Sequence, residues 1–221
     1  MGRALLRIAA ADPRFAIAAA VTRTGGNVGG VRALSAERMA SALPFDVLVD
    51  FSLPGAFEAA LELCLQRGSA LVSGTTGLSE AQRQALDAAT RTIPVMWSAN
   101  FSVGVAVLDD LVRRAAAALP GWDCDIVETH HVHKRDAPSG TALSLGETIA
   151  TVTGAAPRYA SLRAGDIVGE HVVQFTGAGE RLELTHRATD RDVFARGALE
   201  AAARVAGRGP GRYALGKLLL G

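Results

Sequence analysis

Cysteine is scarce in this chain: the two present, Cys64 and Cys124, stand far apart and outside any C-x-x-C pair. A disulfide scaffold or a cysteine-built zinc site therefore lacks its framework, and two reduced thiols in a cytoplasm are expected. Charge of one sign is equally scarce, with a formal net charge of +1. Neither nucleic acid nor an anionic membrane would find the concentrated basic patch that attracts it. Apolar residues make up 49% of the chain but never run unbroken for the about 20 positions that a bilayer-spanning helix needs. The opening MGRALLRIAAADPR has neither the hydrophobic core nor the cleavage site of an export signal. What remains is an unexported globular protein of 221 residues, enough for one large domain or two small ones, with small molecules as partners.

What is present alternates. Met1, Leu5 and Ile8 share a helical face that Asp12-Pro13 closes, because proline has no N–H and clashes with a preceding turn. Phe15 to Val21 predicts a buried strand, Gly25, Gly26, Gly29 and Gly30 a turn, Ser35 to Ala42 a weak helix, and Asp46 to Phe51 a second strand. Pro54 suits a first helical turn and Gly68 a helix end; Ala70 to Ser73 is a third strand. Ser79 and Gln82 form a capping box for a helix through Ala89, and Thr92 to Trp97 is a fourth strand. Strand–helix alternation predicts a parallel sheet covered on both faces, with ligands beyond the carboxyl ends of its strands. The loops there begin at Thr22-Arg23, Phe51-Ser52-Leu53, Gly74-Thr75-Thr76-Gly77 and Ser98-Ala99-Asn100-Phe101.

The second half changes character. After a helix over Ser102 to Leu119, a strand at Asp125 to Thr129 and a helix from Thr141, three β-rich runs follow without helices between them: Tyr159 to Ala164, Glu170 to Thr176 and Glu180 to Arg187. This order predicts a mostly antiparallel sheet. A last amphipathic helix, Arg191 to Val205, is placed back with the first domain. The fold class is thus α/β, a parallel-sheet domain of residues 1–101 and 191–221 plus an α+β domain of residues 102–190 with a mixed sheet.

Residues 128 to 142 gather three of the five histidines and a lysine: Glu-Thr-His130-His131-Val-His133-Lys134-Arg-Asp136-Ala-Pro138-Ser139-Gly140-Thr141-Ala142. A solvated polar loop is one alternative. A metal site is another, since H-x-H can ligate zinc or copper, but no cysteine is near and no H-E-x-x-H exists, so no metal is expected. Pro138-Ser139-Gly140-Thr141 opens an apolar-periodic helix through Leu145 and Ile149. Its unpaired N–H groups and dipole could hold a carboxylate, or Ser139 could serve only as a cap. Together the loop offers cations for an acidic substrate and an imidazole suited to proton transfer near neutral pH.

On these residues the chain resembles the 4-hydroxy-tetrahydrodipicolinate reductases, also called dihydrodipicolinate reductases. Further blocks match in order: Val49-Asp50-Phe51-Ser52, Gly74-Thr75-Thr76-Gly77, Asn100 to Gly104, Arg163 to His171, and Glu180 to His186. The resemblance implies a Rossmann-like nucleotide domain built from both chain ends and a substrate domain that also makes a homotetramer. It implies reduction of 4-hydroxy-tetrahydrodipicolinate, through dihydrodipicolinate, in lysine and diaminopimelate synthesis. Carried over, His130 donates and accepts the proton, Lys134 is a second proton donor, His131 a substrate ligand, and Ser139, Gly140 and Thr141 hold a carboxylate of the cyclic dicarboxylate. Gly74, Thr75, Thr76, Ser98, Ala99, Asn100 and Phe101 line the nicotinamide and its ribose.

Two departures bear on the cofactor. Members of the family begin with a strand and a glycine fingerprint, of which Met1-Gly2-Arg3 resembles only the tail, so the first strand is expected to be missing and dinucleotide binding weakened. The Thr22 to Leu43 segment is shorter than usual, and Thr22 stands where an acidic residue would bind the ribose of NADH. Arg23 beside it favours NADPH, with NADH possible. The alternatives are a cofactor-deficient dicarboxylate-binding or oligomerisation module and another nicotinamide-dependent dehydrogenase of related fold. Trp97 and Trp122 read as packing residues, His171 and His186 as satisfied structural histidines, and Asp166 and Glu170 as solvated or capping residues.

Overall fold

The structure is a computed structural model describing residues 1–221. It divides into two compact units, one of Met1–Phe101 with Phe194–Leu219 and Gly221, the other of Ser102–Val193 with Leu220.

In the first unit a parallel four-stranded sheet carries the core. Its strands are β4 (Val47–Asp50), β5 (Ala70–Ser73), β6 (Pro94–Trp97) and β11 (Gly211–Tyr213), in the order β11-β6-β5-β4. Helix α2 (Pro54–Arg67) starts with proline in its first turn, where no N–H is needed, and ends at Gly68, whose φ of 64° a side chain would resist. Its Phe57, Leu61 and Cys64, spaced one turn apart, meet Leu71 and Val95 of the sheet and Leu86 of α3 (Glu80–Ala89). Desolvation pushes the Cys64 thiol up to about 12, so it is an inert core residue. The Ser79 and Gln82 capping box forms as read, and Gln82 Nε2 also donates to the Pro54 carbonyl at 2.8 Å, tying the two helix starts together.

The N-terminal region departs from expectation. After α1 (Gly2–Ala10), Asp12 turns the chain by accepting from the N–H groups of Arg14 and, through its carbonyl, Phe15, and of the expected Phe15–Val21 strand only the end is laddered, as β1 (Ala20–Thr22). The glycine-rich stretch is not a plain turn but a hairpin of β2 (Thr24–Val28) and β3 (Val31–Ser35). Gly29 and Gly30, at φ 59° and 85°, make the two-residue turn that suits strand twist, and Val28 pairs with Val31. β3 pairs parallel with β1, giving a separate three-stranded sheet, β1-β3-β2. The weak helix expected at Ser35 to Ala42 is a 3-10 turn, Ala36–Ser41. β11 and α7 (Leu215–Leu220), beyond α6 (Asp192–Val205), were not foreseen.

The second unit packs two helices on a four-stranded sheet. The strands β7 (Asp123–His130), β8 (Arg158–Arg163), β9 (Gly169–Gly177) and β10 (Glu180–Ala188) lie in the order β10-β9-β7-β8. β7 and β8 are parallel and the other pairs antiparallel. Leu108 and Val112 of α4 (Val103–Ala118) and Leu145 and Ile149 of α5 (Gly140–Thr153) bury one face of this sheet against Ile126, Val173 and Phe175.

Candidate active site

Side chains two apart on a strand share a face, and register aligns them across strands. Glu128 lies two residues beyond buried Ile126 on β7, beside Ser161 of β8 and His171 of β9, and His171 in turn pairs with His186 of β10. The next row pairs His130 with Arg163. A polar strip thus crosses the face that is apolar further along, and the amino ends of α4 and α5 abut it. Ser139, the cap of α5, accepts from Ala142 N and bonds His171 Nε2 at 3.0 Å. Ser102, the cap of α4, accepts from Val105 N and bonds His186 Nε2 at 3.2 Å.

Glu128 is fully buried. Its Oε1 accepts from Arg163 Nη2 at 2.9 Å and from the Ser139 N–H at 3.2 Å; its Oε2 accepts from Arg163 Nη1 at 3.0 Å and lies 2.5 Å from His130 Nδ1. Burial opposes ionisation, but hydrogen bonds from Arg163, Ser161 and His130 hold the carboxyl down at about 2. The buried His130 is shifted downward by desolvation, which outweighs the opposing pull of Glu128, so the resting imidazole is neutral at pH 7. Burial drives His171 down to about 4.

Of the residues anticipated from sequence, His130, Lys134, His131, Ser139, Gly140 and Thr141 all fall within this unit. Lys134 pairs with Asp136 at 2.9 Å, and its loop is stapled by Arg163, which donates to the carbonyls of Lys134 and Asp136. His131 is half-buried, its ring 6.3 Å from that of His133. Gly140 is exposed on the first turn of α5 and Thr141 half-buried. Four participants were not singled out: Glu128, Arg163 and, as more than satisfied structural residues, His171 and His186. Both histidines bury an Nδ1 that has no partner. The period-two spacing of Glu128 and His130, and of Ser161 and Arg163, was the available signal.

The first unit holds the other group. Asp50, buried at the end of β4, accepts from Ser52 N, Ser73 Oγ and Thr75 Oγ1 at 2.8 to 2.9 Å, fixing the loops after β4 and β5 together. Trp97 donates from Nε1 to the Thr75 carbonyl at 2.8 Å, adding the end of β6. Gly74 must be glycine, since a Cβ there would sit 2.3 Å from the Phe51 ring, which itself meets Phe101 with centroids 5.5 Å apart. Thr76 and Ala99 are exposed, Ser98 and Asn100 half-buried, and Thr75 and Phe101 buried. Arg23 is exposed just past the end of β1, in the separate sheet. An open concavity of about 620 Å³ is lined by Arg3, Leu6 and Arg7 of α1 with Gly29 and Val31.

Residues 1–101 match the family model described as dihydrodipicolinate reductase, N-terminus, and residues 104–219 the one described as dihydrodipicolinate reductase, C-terminus. The chain belongs to the dihydrodipicolinate reductase family. It is 60% identical over 223 aligned positions to the 4-hydroxy-tetrahydrodipicolinate reductase of Xanthomonas campestris pv. campestris (strain B100), covering 100% of this chain and 93% of that one. It is 61% identical to the reductase of the same name from Stenotrophomonas maltophilia (strain K279a), covering 99% and 93%. The dipicolinate-bound dihydrodipicolinate reductase from Paenisporosarcina sp. TG-14 shares its fold, with a TM-score of 0.81 at 23% identity over 98% of this chain and 94% of that one. The α/β class, with a parallel sheet and a small three-stranded sheet in one unit and a mixed, mostly antiparallel sheet in the other, agrees with that fold.

Proposed function

We propose that this chain is a 4-hydroxy-tetrahydrodipicolinate reductase, converting its substrate through dihydrodipicolinate to tetrahydrodipicolinate for lysine and diaminopimelate synthesis. Its closely related relatives carry that name over the whole length of this chain. One observation carries the chemistry: buried Glu128 accepts from both the His130 imidazole and the Ser139 N–H. The proton-transfer group and the start of α5 are thereby built as one piece.

A nicotinamide dinucleotide, when bound, supplies the hydride; NADPH is the favoured form and NADH the alternative. The first unit fits such a group by its donor chemistry: Arg3 and Arg23 carry charge suited to phosphate, and the loops after β5 and β6 offer backbone groups with small neighbours, Gly74, Ser98 and Ala99. Thr75, Thr76, Asn100 and Phe101 complete the proposed lining. In the second unit the first-turn N–H groups of α5, at Gly140 and Thr141, and its helix dipole receive a substrate carboxylate. The Ser139 hydroxyl, engaged by Ala142 and His171, holds that turn in place. His131 binds the second polar side of the dicarboxylate. His130, neutral at rest, takes up a proton on Nε2 as an imidazolium supported by Glu128 and delivers it to complete reduction of the ring, and Lys134 supplies a second proton while offsetting negative charge. Residues 1–101 with 191–221 thus form the proposed nucleotide domain and residues 102–190 the substrate domain.

The other face of the second sheet, with Val127, Val172 and exposed Leu162, is the surface assigned to a homotetramer. Both cysteines are unpaired, in keeping with a cytoplasmic enzyme. No helix is long and apolar enough to cross a membrane.

Ser139→Ala tests the carboxylate site. It should cost about 1 kcal/mol of stability through the lost cap and raise the substrate KM several-fold, because the turn whose N–H groups receive the carboxylate is no longer held. Inhibition by pyridine-2,6-dicarboxylate should weaken in parallel and the dinucleotide KM stay constant; an unchanged substrate KM would refute the assignment. Arg23→Ala should lower the preference for NADPH over NADH, read as the ratio of the two kcat/KM values. An unchanged ratio would remove Arg23 from cofactor recognition.

A further inference from the structure

We propose that Glu128 is the positioning residue of His130: its buried carboxylate fixes which imidazole nitrogen carries the proton and, with Arg163, holds the Lys134 loop and the start of α5 in register with that imidazole. The inference rests on the proposed role of His130 and deepens it.

The geometry is an accounting of lone pairs. A carboxylate has about four acceptor positions and no donor when ionised. Glu128 leaves none of them idle: two N–H groups of Arg163, the Ser139 N–H and His130 Nδ1 all bond it, and the Ser161 side chain bonds it as well. An acceptor opposite Nδ1 requires Nδ1 to carry the proton, which leaves Nε2 as the lone-pair nitrogen. On that side stands Gly169, where a Cβ would come within 3.0 Å of Nε2 and 3.3 Å of Cδ2. The residue is buried and its φ lies outside the left-handed region, so it is the imidazole, not the backbone, that crowds a side chain there.

Arg163 extends the reach of the carboxylate. Of its other three donors, two go to the carbonyls of Lys134 and Asp136, on the loop between β7 and α5, and one to the Leu162 carbonyl on its own strand. One ion pair therefore anchors the imidazole, the lysine loop and the helix start. Packed apolar residues would stabilise a buried sheet face at less cost than a desolvated ion pair. The charged groups facing His130 are Glu128 on its own strand, Arg163 on β8 and Lys134 on the loop; the titratable His171 on β9 meets it edge-on at 5.2 Å. Of these only Glu128 favours the imidazolium, so it also sets how readily His130 can carry a proton.

Glu128→Gln keeps the shape but replaces one acceptor oxygen with a donor. With Arg163 and Ser139 holding the amide oxygen, the amide N–H faces Nδ1 and the proton moves to Nε2. Nitrogen NMR of the His130 ring should report the Nδ1–H form in the native enzyme and the Nε2–H form in the variant. kcat should fall roughly 100-fold or more, as when a buried carboxylate orienting a catalytic histidine is made an amide. The pH at which activity is lost on the alkaline side should move down, and Glu128→Asp should restore part of both. A folded Glu128→Gln enzyme with the native tautomer and an unmoved pH profile overturns the proposal. Should Glu128→Gln fail to fold, the native enzyme decides alone: nitrogen NMR that finds the neutral His130 ring in the Nε2–H form overturns the proposal. Full activity in His130→Gln would defeat the role of His130 instead, while the tautomer measurement would still report on Glu128.

Discussion

His130→Gln should lower kcat by about 10²–10⁴-fold, the usual contribution of a positioned proton-transfer group, while leaving binding of the dinucleotide and of pyridine-2,6-dicarboxylate within a few-fold of native. The imidazole is buried against Glu128 and Gly169 rather than spread over a binding surface, so its loss removes a proton step more than it removes affinity. Desolvation lowers its proton affinity, and Glu128 counteracts that only in part. Pre-steady-state measurement of a single turnover separates the two effects. A variant that binds both ligands and still turns over at the native rate would remove His130 from the chemistry.

Acidification should destabilise the second unit well before ordinary carboxylates titrate. His130, His171 and His186 are each shifted downward, in every case first by burial, and His171 from 6.5 to about 4. A histidine whose folded value lies below its unfolded value is protonated first in the unfolded chain. Its neutral burial therefore costs nothing above about pH 6.5 and costs progressively more as pH falls toward 4, where the folded form also takes up its proton. For His171, which is almost wholly buried, the loss is on the order of 3 kcal/mol. Glu128 acts in a lower window: held at about 2, it adds stability that is present above its unfolded value of 4.5 and fades as pH falls to 2. Thermal melts from about pH 8 to pH 4 should show Tm falling from about pH 6.5 downward, and His171→Gln should flatten that fall. A native Tm that holds level to pH 4.5 would contradict the burial of neutral histidines.

Where local chemistry governs, the sequence was readable. Pro54 and Gly68 bracket α2, Ser79 and Gln82 start α3, and Pro138-Ser139-Gly140 starts α5, each through groups within a few residues of one another. His130, Lys134 and the Ser139-Gly140-Thr141 turn were legible for the same reason. Register was not. Glu128 and Arg163 stand 35 positions apart and meet only because β8 runs parallel to β7 in one particular alignment. The partnership of Ser102 with His186 spans 84 positions and depends on β10 as well. Nor was β11 legible: three residues inside a glycine- and arginine-rich stretch carry no periodicity, and their pairing with β6 alone makes them a strand. The β2–β3 hairpin is readable in principle, since Val-Gly-Gly-Val matches a two-residue turn, but four glycines in six positions mask the strands on either side of it.

The most direct measurement is turnover by the purified 221-residue chain: oxidation of NADPH, with NADH beside it, followed as 4-hydroxy-tetrahydrodipicolinate is added. The expected result is dinucleotide oxidation that depends on this substrate, yields tetrahydrodipicolinate in equal amount and is inhibited by pyridine-2,6-dicarboxylate. Dicarboxylate binding with no oxidation of either dinucleotide, at any substrate concentration, would contradict the assignment of this chain as a reductase.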